Sequence, residues 1–177
     1  MAPQTATRMT YEEFMALPAE NVKHYELVEG ELYVNPAPNI RHQIIAGNVY
    51  FALRSYLKEH RVAQAAMSPI DVVLSPEIVL QPDVSVWFDR IGQWKKAYRA
   101  PEIAVEVLSE GSQRHDKVTK RRLYERFGVK DYWIVDAEAE TVTIVRAGEE
   151  IVVREFITTP LLPGFSLPLR DVFSEEP

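Results

Sequence analysis

The chain has no cysteine, which excludes disulfides, thiolate zinc sites and cysteine nucleophiles. No apolar run approaches the length of a membrane span. Met1 to Thr7 are polar, with neither the apolar core of a signal peptide nor an Arg-rich amphipathic pattern, so a cytoplasmic protein is expected. There is no internal repeat, no low-complexity stretch and no recognition-helix signature. Positive charge is also lacking overall: the net charge of −6 argues against a surface that is basic all over. What remains is ordinary globular composition, 46% apolar and 26% charged over 177 residues. That length suits one domain with a buried core; we expect it to span 1–177, with the core at about 22–157 and a tail at 158–177.

The charge is unevenly spread. Residues 90–130 hold eleven Lys/Arg against five acids, a local excess of +6 beside −12 for the rest. Such a zone suits a phosphate-bearing substrate, and it equally suits a solvated helix face.

Thr10-Tyr11-Glu12-Glu13 has the spacing of a capping box and predicts a short helix ending near Pro18. Tyr25 to Val28 and Glu31 to Val34 flank Glu29-Gly30, a two-residue hairpin turn. That register pairs Leu27 with Leu32 and Tyr25 with Val34 on one face. Glu26 falls on the other, either as an exposed strand residue or as an acid aimed at a site. A helix is expected from about Ile40 to Glu59, with His42 in the first turn of its buried stripe. His42 there is either a hydrogen-bonded core residue or a functional one. Strands are expected at about 62–66, 70–74, 79–87 and 102–108, then a helix from His115 to Phe127, a strand over Asp131 to Asp136 and a hairpin over 141–146 and 151–156. The Pro/Leu/Phe-rich tail from Thr159 to Phe173 reads as an irregular cap or an oligomer contact.

Two of these strands carry a carboxylate among apolar residues. In Ile103 to Leu108, alternation puts Glu106 between Ala104 and Leu108 on one face. Asp83 follows Pro82 and precedes Val84 and Val86. A buried unpaired carboxylate is costly, so each needs an arginine, a lysine or a bound cation. Oxygen ligands from neighbouring strands suit Mg²⁺ or Mn²⁺; a buried salt bridge at each site is the other reading. At about 100° per residue, Lys120 shares the inward stripe of Leu123 and Phe127, whereas Lys117, Arg121 and Arg122 lie on its flank or far side. An inward lysine needs a carboxylate, and Asp116 is one turn away.

The middle of the chain reads α-β-β-β-α-β, and Pro82-Asp83 followed by Glu106-Val107-Leu108 resembles the Pro-Asp…Asp/Glu-x-Lys motif of the restriction-endonuclease-like superfamily. The lysine slot holds Leu108 instead. From Tyr11 to Phe173 the chain resembles the Uma-two family of endonucleases. The resemblance rests on Tyr25 to Leu32, His42, Gln81 to Val84, Val105 to Ser109, the Asp116-x-x-x-Lys120-x-x-x-Tyr124 spacing, Gly128 to Asp136 and Leu162 to Phe165.

It implies an α/β (α+β) fold: a restriction-endonuclease-like core with a mixed central β-sheet flanked by helices, an N-terminal hairpin and a C-terminal hairpin. It also implies metal-assisted phosphodiester hydrolysis. Asp83 and Glu106 would hold Mg²⁺ or Mn²⁺, and Lys120, displaced from the Leu108 slot, would orient water or steady charge on phosphorus. Glu26 would be an outer acid and His42 would orient a ligand or contact phosphate. Arg114, Lys117 and Arg121 would touch the backbone of the nucleic acid, expected to be DNA, and Asp116 and Tyr124 would support the site. A homodimer or higher homo-oligomer without membrane association is expected. An inactive nuclease-fold binding module, a structural or regulatory oligomer and a hydrolase of smaller phosphate esters are the other readings.

Overall fold

The computed structural model describes residues 8–17, 23–89, 97–108 and 115–175. Helix α1 (Tyr11–Met15) starts with the expected capping box: Glu13 N–H donates to Thr10 Oγ1 at 3.3 Å and Thr10 N–H to Glu13 Oε2 at 2.7 Å. Strands β1 (Lys23–Val28) and β2 (Glu31–Pro36) pair antiparallel with Leu27 opposite Leu32 and Glu26 opposite Tyr33, the register read from the sequence. Glu29 and Gly30 both have positive φ, 51° and 84°, as a two-residue turn matching strand twist requires.

Helix α2 (Ile40–His60) begins at the Asn39 cap, whose Oδ1 accepts from His42 N–H at 2.8 Å. Then come β3 (Gln64–Met67), β4 (Val72–Ser75), β5 (Ile78–Leu80), β6 (Val84–Trp87) and β7 (Ile103–Val107). The expected strand over 79–87 is two strands. Gln81-Pro82-Asp83 breaks it, because a proline has no N–H to give a ladder. Strand β5 joins the sheet β2-β1-β5-β4, and β6 joins the larger sheet.

That larger sheet also takes β8 (Asp131–Asp136), β9 (Thr141–Arg146) and β10 (Glu149–Val153), in the order β10-β9-β8-β7-β6-β3. Only the β7–β8 pair in it is parallel. The turn at Ala147-Gly148 is as expected, but β10 starts at Glu149, ahead of the expected Ile151. Phe156 leaves this hairpin: β11 (Phe156–Ile157) pairs instead with β12 (Leu167–Pro168).

Between β7 and β8, His115–Lys120 forms a π-helical segment that runs into α3 (Arg121–Arg126). The expected uniform helix is thus wider in its first turns. From Lys120 onward the α-helical projection holds, and Lys120, Leu123 and Tyr124 are all buried.

The larger sheet has two covered faces. Val84, Val86, Ile103, Val105, Trp133 and Val135 pack against Ile45, Val49, Leu53 and Leu57 of α2. Ala104, Tyr132, Ile134 and Val145 pack against Leu123 and Tyr124 of α3, and against Val28, Ile78 and Leu80 of the smaller sheet. Helix α4 (Leu169–Val172) closes the chain beside α2. The tail contributes to the core: Leu162, Phe165, Leu167 and Val172 are buried within this chain. Among the described residues no helix is long and apolar enough to cross a membrane.

Candidate active site

The two sheets meet where β5 hands over to β6, and the acids singled out in the sequence converge there. Glu26 comes from the smaller sheet. Asp83 comes from the break, Glu106 from β7, Lys120 from the end of the π-helical segment that leads into α3, and His42 from the first turn of α2. Glu26, Glu106 and Lys120 are 1, 3 and 4% exposed. Glu26 is therefore not an exposed strand residue; it is the third acid.

Lys120 Nζ lies 3.0 Å from Glu26 Oε1 and 3.0 Å from Glu106 Oε1, one ammonium shared by two carboxylates. The side chain of Asp116, the partner considered from sequence, lies outside the described residues, as does Arg114. Two further donors fix the acids. Gln81 backbone N–H donates to Glu26 Oε1 at 2.8 Å, so the break that splits the strand also anchors the outer acid. Tyr124 O–H donates to Glu106 Oε1 at 2.8 Å. Burial pushes the Tyr124 hydroxyl well above the ordinary phenol range, and the Glu106 carboxylate pushes it further. Tyr124 therefore stays protonated and remains a donor.

Asp83 lies on the other side of Glu106. Its Oδ2 accepts from Val107 N–H at 2.7 Å and lies 3.2 Å from His42 Nε2. Its Oδ1 has no hydrogen-bond partner among the described residues, and the side chain is 16% exposed. The Asn39 cap sets the first turn of α2 and so aims His42 at this carboxylate. Leu108, in the motif's lysine slot, is buried among apolar side chains, and the ammonium arrives from α3 instead.

The expected backbone-contact residues point elsewhere. Lys117 Nζ pairs with Asp136 at 3.5 Å, and Arg121 pairs with Glu125 at 3.2 Å and with Glu150. Sequence reasoning missed the main-chain donors of Gln81 and Val107 and the His42–Asp83 contact. No side-chain pattern encodes the first two. The third was within reach only as a cap followed by an inward histidine.

Two carboxylates share one ammonium here, and a third, Asp83, stands beside Val107 facing His42. Excess negative charge in a largely dry site favours a cation. Among the described residues no group of three or more His, Asp or Glu is arranged to hold a metal ion. Two carboxylates, Glu106 on β7 and Asp83 in the break before β6, one with an oxygen lacking a partner among the described residues, nevertheless fit Mg²⁺, which keeps several waters and takes one or two carboxylates.

A family model, Uma2, described as "Putative restriction endonuclease", matches residues 11–170. A solved structure described as "a putative nuclease belonging to DUF820" from Anabaena variabilis ATCC 29413 is 26% identical and superposes with a TM-score of 0.79. The match covers 93% of this chain and 97% of that one. No curated protein matches.

Proposed function

The chain belongs to the Uma2 restriction-endonuclease family, and on that premise we propose that it is a metal-dependent endonuclease hydrolysing phosphodiester bonds, with DNA as substrate. The observation that carries the reading is the excess of acid at the seam of two sheets: Glu26 and Glu106 share the ammonium of Lys120, and Asp83 adds a third carboxylate, held by Val107 N–H and facing His42.

Asp83, through Oδ1, and Glu106 are the residues that would hold the ion. When bound, Mg²⁺ or Mn²⁺ supplies Lewis acidity toward a phosphate oxygen and lowers the pKa of a coordinated water. The protein's own groups do the rest. Tyr124 and Lys120 together fix Glu106 through one oxygen, which sets the direction of the carboxylate. Val107 N–H and His42 fix Asp83 in the same way. Lys120 is a preorganised positive charge that can stabilise charge developing on the phosphorus oxygens. Glu26, anchored by Gln81 N–H, holds Lys120 from the other side, which makes it a positioning residue. Lys117 and Arg121 would reach a nucleic-acid backbone only by exchanging their present carboxylate partners for phosphate.

The test is plasmid nicking by purified protein in Mg²⁺ or Mn²⁺, beside Asp83→Ala and Glu106→Gln. Wild type should nick and both variants should not. Equal nicking by all three, or none by wild type in either metal, would sink the proposal. Calorimetry with Mn²⁺ should show binding by wild type that Asp83→Ala loses.

A further inference from the structure

A second charged feature lies at the far end of α2 from His42. Nineteen residues separate His42 from Arg61, about 28 Å along the helix axis. There, Arg54, Lys58 and Arg61 line a cleft of about 550 Å³, with Gln64 of β3 and Phe88 on its other side. All three cationic residues are exposed.

Here three cations without partners stand together; Lys130 and Arg154 also lack an ion pair among the described residues, but neither lines this cleft. Arg41, Arg99, Lys117, Arg121, Arg122 and Arg146 each meet a carboxylate, as expected in a chain with net charge −6. Among the described residues, the side chains of Arg54, Lys58 and Arg61 make no ion pair or hydrogen bond. Asp89, the one acid lining the cleft, is 3.1 Å from Arg99, so its charge is already engaged. Arg54 and Lys58 stand four residues apart on one helix face, a like-charge spacing that weakens a helix. Lys58 also complements the carbonyls at the helix end, but that attraction fades within the last turn and does not reach Arg54. Arg61 adds a third charge from a left-handed cap residue, φ 54°. The arrangement lowers local stability unless an anion completes it.

We infer that this cleft is a phosphate-binding subsite, remote from the acid cluster and formed by Arg54, Lys58 and Arg61. Three flexible, hydrated cations around an open cleft suit the diffuse charge of phosphate better than a single carboxylate. Gln64 adds an amide to the lining. The phosphate has two chemical sources: the backbone of a bound nucleic acid running on from the reaction centre, or a free phosphorylated small molecule. Only the first rests on the endonuclease reading.

The experiment compares wild type with the triple variant Arg54→Gln/Lys58→Gln/Arg61→Gln, without divalent metal so that nothing is cleaved. All three side chains are exposed, and thermal melting should confirm an unchanged fold. Two probes are used: a 30-base-pair duplex titrated across salt, and sodium pyrophosphate followed through the amide resonances of Gln64 and Phe88. If nucleic acid is the source, the slope of log affinity against log salt should fall by about 2–3 in the variant, close to one unit for each phosphate that is no longer neutralised. If a small molecule is the source, pyrophosphate should shift those resonances in wild type only, with the duplex slope unchanged. An unchanged slope, together with pyrophosphate shifts that are absent or equal in both proteins, overturns the subsite. Wild type that binds no duplex yet shows the pyrophosphate shifts keeps the subsite and removes the nucleic-acid reading instead.

Discussion

Two buried acids on neighbouring parallel strands meet opposite treatment. Asp131 opens β8 beside Ile103, whereas Glu106 lies near the end of β7 beside Ile134. Asp131 is 1% exposed and closed off by a single arginine: Arg146 Nε and Nη2 each donate at 2.7 Å to its two oxygens. That pair is balanced in charge and fully two-pronged. It also ties the tail down, since Arg146 Nη2 reaches Thr158 O at 3.2 Å. The hydrogen bond to Asp131 raises the Arg146 pKa above its ordinary value, so the guanidinium stays charged. At the other end of the same strand pair, two carboxylates share one lysine and a third acid stands beside them. A fold that needed only to bury an acid had the arginine solution available one strand away. The unbalanced cluster is the ground on which the proposed metal site rests.

The largest expected effect is on stability. Lys120→Met leaves Glu26 and Glu106 buried without their shared cation, and removing one partner of a buried pair costs about 3–5 kcal/mol. The sequence alone suggests a milder outcome, because Lys120 projects inward without showing how many acids depend on it. A urea melt of the metal-free protein should show the loss, and adding Glu26→Gln to Lys120→Met should recover part of it. Full stability in Lys120→Met would mean that the acids are protonated in the resting protein. Next in size is Arg146→Met, about 3 kcal/mol, with no recovery from added Mn²⁺. A recovery of the lost stability on adding Mn²⁺ to this variant would erase the contrast between the two ends.

The hairpin register and its turn were legible in the sequence because alternation and Glu29-Gly30 agree. The inward placement of Lys120 was legible because the α-helical period holds from that residue on. What was hidden is long-range. Whether Val79 and Val86 share a strand depends on which sheet each joins, and periodicity is identical in both cases. The role of Glu26 depends on Gln81 and Lys120, which are 55 and 94 positions away in the chain. The tail's apolar residues read equally well as interface or as core, and only their packing on α2 decides between the two.

A matched pair of isosteric changes sharpens the comparison further. Asp131→Asn weakens a charge-assisted fork and should cost about 1.5–3 kcal/mol. Glu106→Gln leaves Glu26 and Lys120 as a balanced pair and keeps an oxygen for Tyr124, so it should change metal-free stability by less than about 1 kcal/mol. Turnover should behave the other way round: lost in Glu106→Gln, retained in Asp131→Asn. Equal stability costs would mean that the acid excess at the β7 end carries no strain.

The smallest effect separates orientation from charge. Tyr124→Phe removes the hydroxyl that donates to Glu106 Oε1 and keeps the ring, which packs on Tyr132 with centroids 4.9 Å apart. The lost hydrogen bond should cost about 0.5–1.5 kcal/mol. Lys120 still neutralises Glu106, so Mn²⁺ affinity should change little. The carboxylate, having lost one of the two donors on Oε1, should sample more directions, and kcat should fall by roughly tenfold, the free-energy equivalent of about 1.4 kcal/mol. Because the Tyr124 hydroxyl titrates well above neutrality in the folded protein, the variant should keep the wild-type pH–rate profile across the neutral range and lose only height. A new limb in that profile would make Tyr124 a proton carrier. An unchanged kcat alongside the stability loss would make it a packing residue with no part in aiming Glu106.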